Sequence, residues 1–300
     1  MINSPRVSIC IPAYNGAALI SRTIDSALSQ SDGAIEVVLI DDASTDDTLK
    51  VAASYNDPRF RIESNECRLG HGGNFNRCLD VAHGRYVKIL CHDDVLYPGA
   101  IAILADGLDR FPDATFATSA WDEIDTAGSL LRTNRLLKDA PANGALVDLR
   151  RVVRTSWLYR NRIGCPSNVL LRKAALHGLR FNSEYAQMMD WDLWLQLLKR
   201  GQLIYIPQVL SALRLHEKSL SVGNRPRAQT ASDLLHVASE LTSSSSELRG
   251  AVSKFDVKRL LLLCFISALG VALRNAMRGH SHAVIESLRI AKRAFRMLAG

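Results

Sequence analysis

Apolar and polar positions in the first third of the chain follow two alternating periods. Short β-branched runs, typical of buried strands, lie at residues 6–11, 35–40, 60–63 and 86–90. Stretches that predict helices lie between them, at residues 17–30, 46–55 and 71–83. We expect Ser44 and Thr45 to cap the second of these helices. Strands that alternate with helices in this way predict βα units and a mostly parallel sheet flanked by helices.

The remainder of the chain is less regular. Further strands are predicted at residues 115–120, 168–172, 203–206 and 211–215, with a helix at residues 189–199. From about residue 226 the pattern is helical, apart from a serine-rich run at residues 242–246. We therefore expect an α/β domain over residues 1–222 and a helical C-terminal region over residues 223–300.

Composition adds one asymmetry to this picture. The chain has 300 residues, of which 47% are apolar and 22% are charged, as in ordinary globular proteins. Residues 251–300 contain nine basic and two acidic side chains, so this segment carries the whole net charge of +7. An excess confined to the tail, with no recognisable nucleic-acid-binding module, argues against nucleic acid as a partner.

Cysteine usage and the N-terminus bear on the compartment. The six cysteines are scattered and form no Cys-x-x-Cys pair, which favours reduced thiols and argues against a zinc site. The N-terminus runs directly into the first strand pattern, so we expect no signal peptide. Together these features predict a cytoplasmic protein.

Two pairs of adjacent acids follow predicted strands. Asp41 and Asp42 follow the second strand, and Asp93 and Asp94 follow the fourth. Ligands of open α/β sheets bind beyond the carboxyl ends of the strands, so we expect both pairs to line one crevice. Adjacent carboxylates repel unless a cation or strong donors offset them, and Mg²⁺ or Mn²⁺ prefers carboxylate and phosphate oxygens. Capping of the helices that follow is the alternative explanation for each pair.

A third acidic segment opens the helix predicted at residues 189–199. Asp190 and Asp192 lie roughly 200° apart around the helix axis, so only one of them can face the crevice. Acids are also common in the first turn of a helix for electrostatic reasons, which is the alternative. Arg214 and His216 follow the last predicted strand and are a weaker signal, because a lone histidine is usually structural.

Taken in order, these segments resemble the family 2 glycosyltransferases of the GT-A fold. The resemblance is collinear over residues 7–221. It is carried by residues 12–15, 38–46, 84–86, 92–94 and 190–194, and by Asn65, Asn76, Arg214, His216, Ser219 and Ser221. Each motif is weak alone, whereas their order and spacing are specific. The resemblance implies a Rossmann-like GT-A domain followed by a C-terminal helical appendage.

The resemblance also implies a pocket for a nucleotide donor. Its residues are Pro12, Ala13, Tyr14 and Asn15 at the first strand end, with Asp42 and Asp41 on the base and Asp93 nearer the ribose or donor sugar. The base and the sugar of the donor stay open, because these residues match contacts shared by many nucleotide sugars.

Metal ligands and a catalytic base are implied as well. Asp94 and His216 match the metal-binding positions, and Asp190 matches the acceptor-side base. Mg²⁺ or Mn²⁺ on the diphosphate would neutralise charge on the leaving group, while the base takes the proton of the attacking hydroxyl. Such a one-step displacement inverts the anomeric configuration. Met189 replaces an acid that commonly precedes the base, which leaves Asp192 open as the alternative base.

The activity implied is transfer of a sugar from a nucleotide-diphosphate donor to a saccharide or lipid-linked acceptor, in surface polysaccharide or lipopolysaccharide assembly. We expect the acceptor between residues 121 and 168, where residues 164–168 are candidates for a sugar-binding surface. A sugar nucleotidyltransferase is one alternative, although its usual Gly-rich phosphate loop is absent from residues 12–15. A catalytically inactive nucleotide-sugar-binding protein is another, favoured by His92 and Met189 and opposed by the retained acids.

The tail predicts two further helices. Residues 260–273 are uncharged, but fourteen residues are fewer than the roughly 20 that a membrane-spanning helix needs. We expect a packed helix of the C-terminal region or a helix that lies in the membrane interface. Residues 285–298 have the pattern of a basic amphipathic helix, which suits the inner face of an anionic membrane. The alternative is a helix that mediates a homodimer or caps the first domain.

Overall fold

The computed structural model describes residues 5–31, 34–137, 140–142, 144–149, 151–152, 163–185, 188–216, 254–277, 279 and 281–299. Its strands are β1 (Val7–Ala13), β2 (Ile35–Asp41), β3 (Phe60–Ser64), β4 (Tyr86–Ile89), β5 (Val95–Leu96), β6 (Ala114–Ile124), β7 (Leu130–Asn134), β8 (Ala145–Val147), β9 (Val169–Arg172) and β10 (Gln202–Arg214). Its helices are α1 (Ile20–Leu28), α2 (Thr48–Ala52), α3 (Gly70–Val81), α4 (Ala100–Arg110), α5 (Lys173–Leu176), α6 (Met189–Arg200), α7 (Lys254–Met277) and α8 (Ser281–Ala299).

All ten of these strands belong to one mixed sheet, in the order β3-β2-β1-β4-β9-β6-β10-β5, with β7 beside β6 and β8 beside β10. The first four strands are parallel, which confirms the predicted βα units. Strand β9 is antiparallel to both of its neighbours, so β6 and β10 run in the same direction as β4. The carboxyl ends of six strands therefore meet at one edge of the sheet.

The core lies on both faces of this sheet. Helices α1 and α4 pack on one face through Ile20, Ile24, Ile101 and Leu104. On the other face α3 and α6 pack through residues such as Phe75 and Trp194. The alternation along the strands gives each face an apolar surface, because successive side chains point to opposite sides. This three-layer arrangement is the predicted α/β fold.

Two local predictions differ from the structure. Residues 202–214 form the single strand β10, with bulges around residues 206–211 that accommodate Pro207 where the sequence indicates a break. Ser44 and Thr45 do not cap the second helix, which begins at Thr48. They hydrogen-bond Asn15 in the preceding loop instead.

The C-terminal helices α7 and α8 form a hairpin. Ala268 of α7 packs against Ala291 of α8, and the rings of Phe265 and Phe295 are 5.9 Å apart. The segment Val257–Met277 has 21 residues and contains an 18-residue window with a mean hydropathy of 1.9, so by length and composition it is able to cross a membrane. The uncharged run of fourteen residues therefore underestimates the length of this apolar helical segment. The predicted domain boundary, between residues 222 and 246, lies outside the described residues.

Candidate active site

The loops that follow β1 and β2 are joined to each other at the carboxyl edge of the sheet. Asn15 and Ala43 both adopt left-handed backbone conformations, with φ of 49° and 57°. The backbone N–H of Asn15 donates to Ser44 Oγ at 3.0 Å, and Asn15 Oδ1 accepts from the N–H of Thr45 at 2.8 Å. Non-glycine residues in this conformation are uncommon and cluster at functional loops, where the surrounding contacts hold them.

The first acidic pair divides into two different environments. Asp42 accepts three hydrogen bonds, from the Asn65 amide at 2.9 Å and from the N–H groups of Leu69 at 2.7 Å and Gly70 at 2.9 Å. Oδ2 of Asp41 accepts from the Ser44 N–H at 2.9 Å. Oδ1 of Asp41 is buried and accepts no hydrogen bond from the protein. A buried acceptor without a partner is costly unless a ligand supplies a donor.

Tyr14 stands beside this pair and carries a cation above its ring. The Arg68 guanidinium carbon is 3.9 Å from the centroid of the Tyr14 ring, within the range of a cation–π contact. Pro12 and Ala13 are buried inside β1, so they form the floor of this corner rather than its surface. Tyr14 is half-buried and Asn15 is exposed, so the side chains that remain reachable belong to the loop.

The second acidic pair shows the same division. Asp94 is only 5% exposed and accepts from Ser167 Oγ at 2.6 Å and from the Arg214 N–H at 2.9 Å. Burial, and secondly the neighbouring Asp93 carboxylate, raises the pKa of Asp94 well above its usual value. Both oxygens of Asp94 are therefore engaged by the protein itself.

Asp93 faces the other way. Its Oδ2 lies 2.8 Å from Nε2 of His216, and the two side chains are 16% and 19% exposed. The contact joins the loop after β4 to the end of β10, which are 123 residues apart in sequence. A carboxylate and an imidazole that meet at a partly open edge form a plausible pair of ligands for a divalent ion.

The loop that carries these acids is held from two sides. Thr23 of α1 donates its hydroxyl to the carbonyls of His92 and Asp94, each at 2.9 Å. The buried Arg214 side chain donates to the Asp93 carbonyl at 3.0 Å and to the Asp125 carbonyl at 2.8 Å. Backbone carbonyls fixed in this way leave the acidic side chains with defined directions.

His92, to which the sequence assigned no role, fills the space between the loops after β1 and β4. A methyl group placed on Gly16 would lie 2.4 Å from Cδ2 of the His92 ring. Only glycine at position 16 permits the ring to lie against the backbone there. The imidazole is thus a packing element of the site in this structure.

Residues 164–168 connect the acidic loop to helix α6. Trp194 Nε1 donates to the Gly164 carbonyl at 3.1 Å, and Ser167 Oγ accepts from the Cys91 N–H at 3.0 Å. Asn168 donates to Ser211 Oγ at 2.8 Å. Ser167 and Asn168 are fully buried, so the prediction that this whole segment lines a sugar-binding surface is wrong for them. Their side chains hold the scaffold together.

Helix α6 begins at Met189, and both acids of its first turn are half-buried. Oδ1 of Asp190 accepts from the N–H of Trp191 at 2.7 Å. Trp191 and Trp194 are core residues. The geometry does not separate Asp190 from Asp192 as a base.

Among the described residues, no group of three or more His, Cys, Asp or Glu side chains is placed to hold a metal ion. Asp93 and His216 are two candidate ligands, fewer than a purely protein-bound ion would require. Mg²⁺ is commonly bound through one or two carboxylates together with substrate phosphates. The pair therefore suits an ion that arrives with a phosphate ligand.

A family model for glycosyl transferase family 2 matches residues 8–180, which include most of β1, both acidic pairs and residues 164–168. The chain belongs to glycosyl transferase family 2. This membership confirms the family to which the motifs and their order point.

Two curated relatives of this glycosyltransferase show how far the likeness extends. A Mycobacterium tuberculosis protein is 35% identical over 220 residues, which are 70% of this chain and 67% of the relative. The chondroitin synthase of Escherichia coli is 28% identical over 227 residues, 73% of this chain but only 30% of that protein. The chain therefore spans less than a third of the length of the second relative.

Two solved structures share the fold. The structure of Staphylococcus aureus TarS, residues 1–349 with UDP-GlcNAc, has a TM-score of 0.67 at 16% identity and covers 97% of this chain and 92% of its own. A mannosyltransferase from Pyrobaculum calidifontis, solved with GDP-Man and Mn²⁺, has a TM-score of 0.57 at 16% identity, covering 99% of this chain and 88% of its own. These neighbours confirm the predicted GT-A fold.

The candidate site contains two residues, Thr23 and Ser167, whose buried hydrogen bonds were not predicted from the sequence. Thr23 interrupts the apolar stripe of α1, formed by Ile20, Ile24 and Ala27, and a polar residue in such a stripe signals a buried hydrogen bond. Ser167 gives no comparable signal, because its partners, Cys91 and Asp94, lie in the distant loop that follows β4.

Proposed function

We propose that this glycosyltransferase moves a sugar from a nucleotide-diphosphate donor to a hydroxyl of a saccharide or lipid-linked acceptor, with inversion at the anomeric carbon. The observation that carries the proposal is the Asp93–His216 contact of 2.8 Å at the carboxyl edge of the sheet. It lies at the edge where an open α/β sheet binds its ligands. We place the reaction in the cytoplasm, in assembly of a surface polysaccharide or lipopolysaccharide.

The donor half of the site fits a nucleotide. Oδ1 of Asp41 is a buried acceptor without a protein partner, which suits an N–H of a base or a ribose hydroxyl. Tyr14 presents an aromatic ring and Arg68 a planar cation beside it, both suited to stacking. Asp42 supports this corner indirectly, because its carboxylate fixes the backbone of Leu69 and Gly70.

The metal would be held by Asp93 and His216 rather than by Asp94. The resemblance assigned the metal to Asp94 and His216, but both oxygens of Asp94 accept protein hydrogen bonds. A carboxylate and an imidazole form a donor set that Mn²⁺ and Mg²⁺ accept, with oxygens of the diphosphate completing it. The Mn²⁺ present with GDP-Man in the P. calidifontis neighbour supports a divalent ion in this family. Its chemistry would be neutralisation of charge on the leaving diphosphate.

The acceptor is activated by a carboxylate at the start of α6. Asp190 is the residue that the family motif assigns to this role, and Asp192 is its neighbour on the same turn. The base takes the hydroxyl proton while the oxygen attacks the anomeric carbon and the diphosphate leaves. A single displacement of this kind gives a β-linked product from an α-linked donor.

Donor binding is tested by thermal unfolding with UDP, GDP, dTDP and CDP, each with and without Mn²⁺. A ligand that binds only the folded state raises the melting temperature. We expect one nucleotide to stabilise the wild type in a metal-dependent manner and to lose the Mn²⁺ increment in Asp93→Asn. Stabilisation that persists unchanged in Asp93→Asn would refute the metal assignment, and no shift with any nucleotide would favour a protein without a donor site.

The base is tested with the donor so identified. We expect Asp190→Asn to retain donor binding and to hydrolyse or transfer the sugar at least 100-fold more slowly, an order of magnitude typical of a lost general base. Asp192→Asn is the matched control and should retain most of the activity. The reverse result would move the role to Asp192.

A further inference from the structure

Helix α7 exposes a continuous apolar row, which we call the α7 row. Its members and their exposed fractions are Leu262 at 47%, Ile266 at 56%, Leu269 at 39%, Leu273 at 64% and Met277 at 73%. They follow one another at intervals of three or four residues, so they form one stripe along the helix. From Leu262 to Met277 the stripe is about 22 Å long at 1.5 Å per residue.

The α7 row lies on the side of the helix opposite its packed face. That packed face is formed by Val257, Leu261, Cys264, Ala268 and Val271, each no more than 8% exposed. Three of them belong to the same hydrophobic cluster as Trp194 of the catalytic domain. A helix that is already packed on one side therefore presents a second apolar side outward. Contiguous exposed apolar surface of this kind marks a contact with another apolar phase or protein.

The hairpin geometry argues against a spanning helix. Phe265 lies beside Phe295 and Ala268 packs with Ala291, so α8 runs back along the middle of α7. Arg289, Lys292, Arg293 and Arg296 of α8 are exposed at that level. If α7 crossed a bilayer with the hairpin intact, these charges would stand near the centre of the hydrocarbon, where charged side chains are strongly disfavoured.

Charge decides between a lipid surface and a second copy of the chain. Residues 251–300 carry nine basic and two acidic side chains, and Lys258, Arg259 and Arg274 are exposed near the two ends of the row. Two copies that met through this surface would bring two strongly cationic hairpins together. An anionic leaflet instead attracts the basic residues and accepts the apolar row.

We propose that the α7 row rests in the headgroup region of an anionic bilayer, with α7 lying in the membrane plane and basic residues of the hairpin contacting lipid phosphates. Contact through the α7 row would hold the catalytic domain beside the membrane, and α7 would not cross the bilayer. The proposal does not depend on the identity of the donor, since it concerns only the hairpin.

The test is co-sedimentation of the full chain with vesicles of phosphatidylcholine alone or with about one third phosphatidylglycerol. We expect the chain to bind the anionic vesicles and to bind the neutral vesicles at least about tenfold more weakly. The double variant Ile266→Ser/Leu273→Ser should bind anionic vesicles about tenfold more weakly or worse, because it removes two large apolar groups from the contact. Both positions are exposed, so the fold should tolerate the change.

Leu130→Ser is the matched control, since Leu130 is 61% exposed on β7, outside the hairpin. It should bind vesicles as the wild type does. Equal binding of the double variant and the wild type would refute the α7 row as the contact. Retention in the pellet after alkaline carbonate extraction would show a spanning helix, and a dimer that the double variant dissociates, without vesicle binding, would show a second copy. Either result overturns the proposal.

Discussion

The two acidic pairs, Asp41 with Asp42 and Asp93 with Asp94, both lie at the carboxyl end of a parallel strand. Different partners hold the adjacent carboxylates in each pair. In each pair both oxygens of the second acid accept protein hydrogen bonds. Of the first acids, Asp41 is buried with one oxygen that has no partner, and Asp93 is partly exposed. Asp42 is held by N–H groups at the start of α3, within 28 residues along the chain. Asp94 is held by Ser167 and by Arg214, which are 73 and 120 residues away.

The surroundings of the two second acids also differ. Asp42 meets the N-terminus of a twelve-residue helix, where backbone N–H groups and the helix dipole stabilise an anion. Burial, and secondly the adjacent Asp93 carboxylate, raises the pKa of Asp94, although the two hydrogen bonds that it accepts oppose this shift. We therefore expect each pair of acids to supply one residue that binds a ligand and one that anchors its loop, and the partners of the anchor depend on the fold.

The largest expected effect separates Asp94 from Asp93. Asp94→Ala leaves the Ser167 hydroxyl and the Arg214 N–H without their acceptor in a buried place. We expect a loss of about 4 kcal/mol in the free energy of unfolding, together with loss of transfer. Asp93→Asn should cost less than about 1 kcal/mol while abolishing metal-dependent donor binding. Equal stability losses in chemical denaturation would contradict the division of roles.

Substitution of Asp42 and Asp41 should give a smaller difference in the free energy of unfolding than substitution of Asp94 and Asp93. Asp42→Ala removes the acceptor of three hydrogen bonds, and we expect it to cost about 3 kcal/mol by denaturant titration. Asp41→Asn should leave the free energy of unfolding nearly unchanged and weaken nucleotide binding about tenfold. The substitution exchanges the unpartnered acceptor oxygen for an amide group that donates hydrogen bonds. Nucleotide affinity that is unchanged in Asp41→Asn would remove it from the pocket.

Ser167 tests whether the distant partner matters. Ser167→Ala deprives Asp94 of one donor and the Cys91 N–H of its acceptor, so we expect a loss of about 2 kcal/mol. Ser119→Ala is the matched control, because Ser119 is also fully buried but its hydroxyl has no partner. It should be neutral or slightly stabilising. Thermal unfolding of both variants in one buffer measures the difference.

Lys88 should give the smallest effect, with the opposite sign. It is fully buried without a hydrogen-bond partner, and burial lowers its pKa from 10.5 to about 7, with the nearby Cys165 and Asp94 opposing the shift. Lys88→Met should therefore stabilise the protein by about 1 kcal/mol near neutral pH. Loss of stability in this variant would show that the lysine supports Asp94 electrostatically.

The pH dependence of this gain follows from linkage. The pKa of Lys88 is lower in the folded than in the unfolded protein, so burying the charged side chain lowers the free energy of unfolding. This loss is at its full value below pH 7 and becomes smaller as the pH rises from 7 towards 10.5. The stability difference between Lys88→Met and the wild type should narrow over that range. A gap that is constant with pH would exclude titration of Lys88 as its cause.

Local patterns predicted the first half of the fold because its elements are consecutive. Strands β1 to β4 were found within about two residues of their bounds, as expected where each strand is followed by its own helix. The continuity of β10 was missed because Pro207 looks like a break, and only neighbouring strands show that a bulge absorbs it.

The candidate site was predicted as a set of positions but not as a set of roles. Motif order located both acidic pairs, His216 and Asp190, whereas the side on which each carboxylate lies depends on tertiary contacts. Ser167 was predicted to line a surface together with the rest of residues 164–168, yet it is buried against Cys91 and Asp94. Contacts across 73 residues leave no mark in a local window.

The antiparallel strand β9 lies between β4 and β6, so parts of the site that are distant in sequence must come together before the protein can bind its donor. During synthesis the acidic loop emerges long before residues 167 and 214, which supply the hydrogen bonds of Asp94. Local helices and the first four strands can form early, but closure of such distant contacts is slow and comes late. A nascent chain that ends before β10 would therefore carry the acids of the site without its shape, and donor binding should appear only once that strand has left the ribosome.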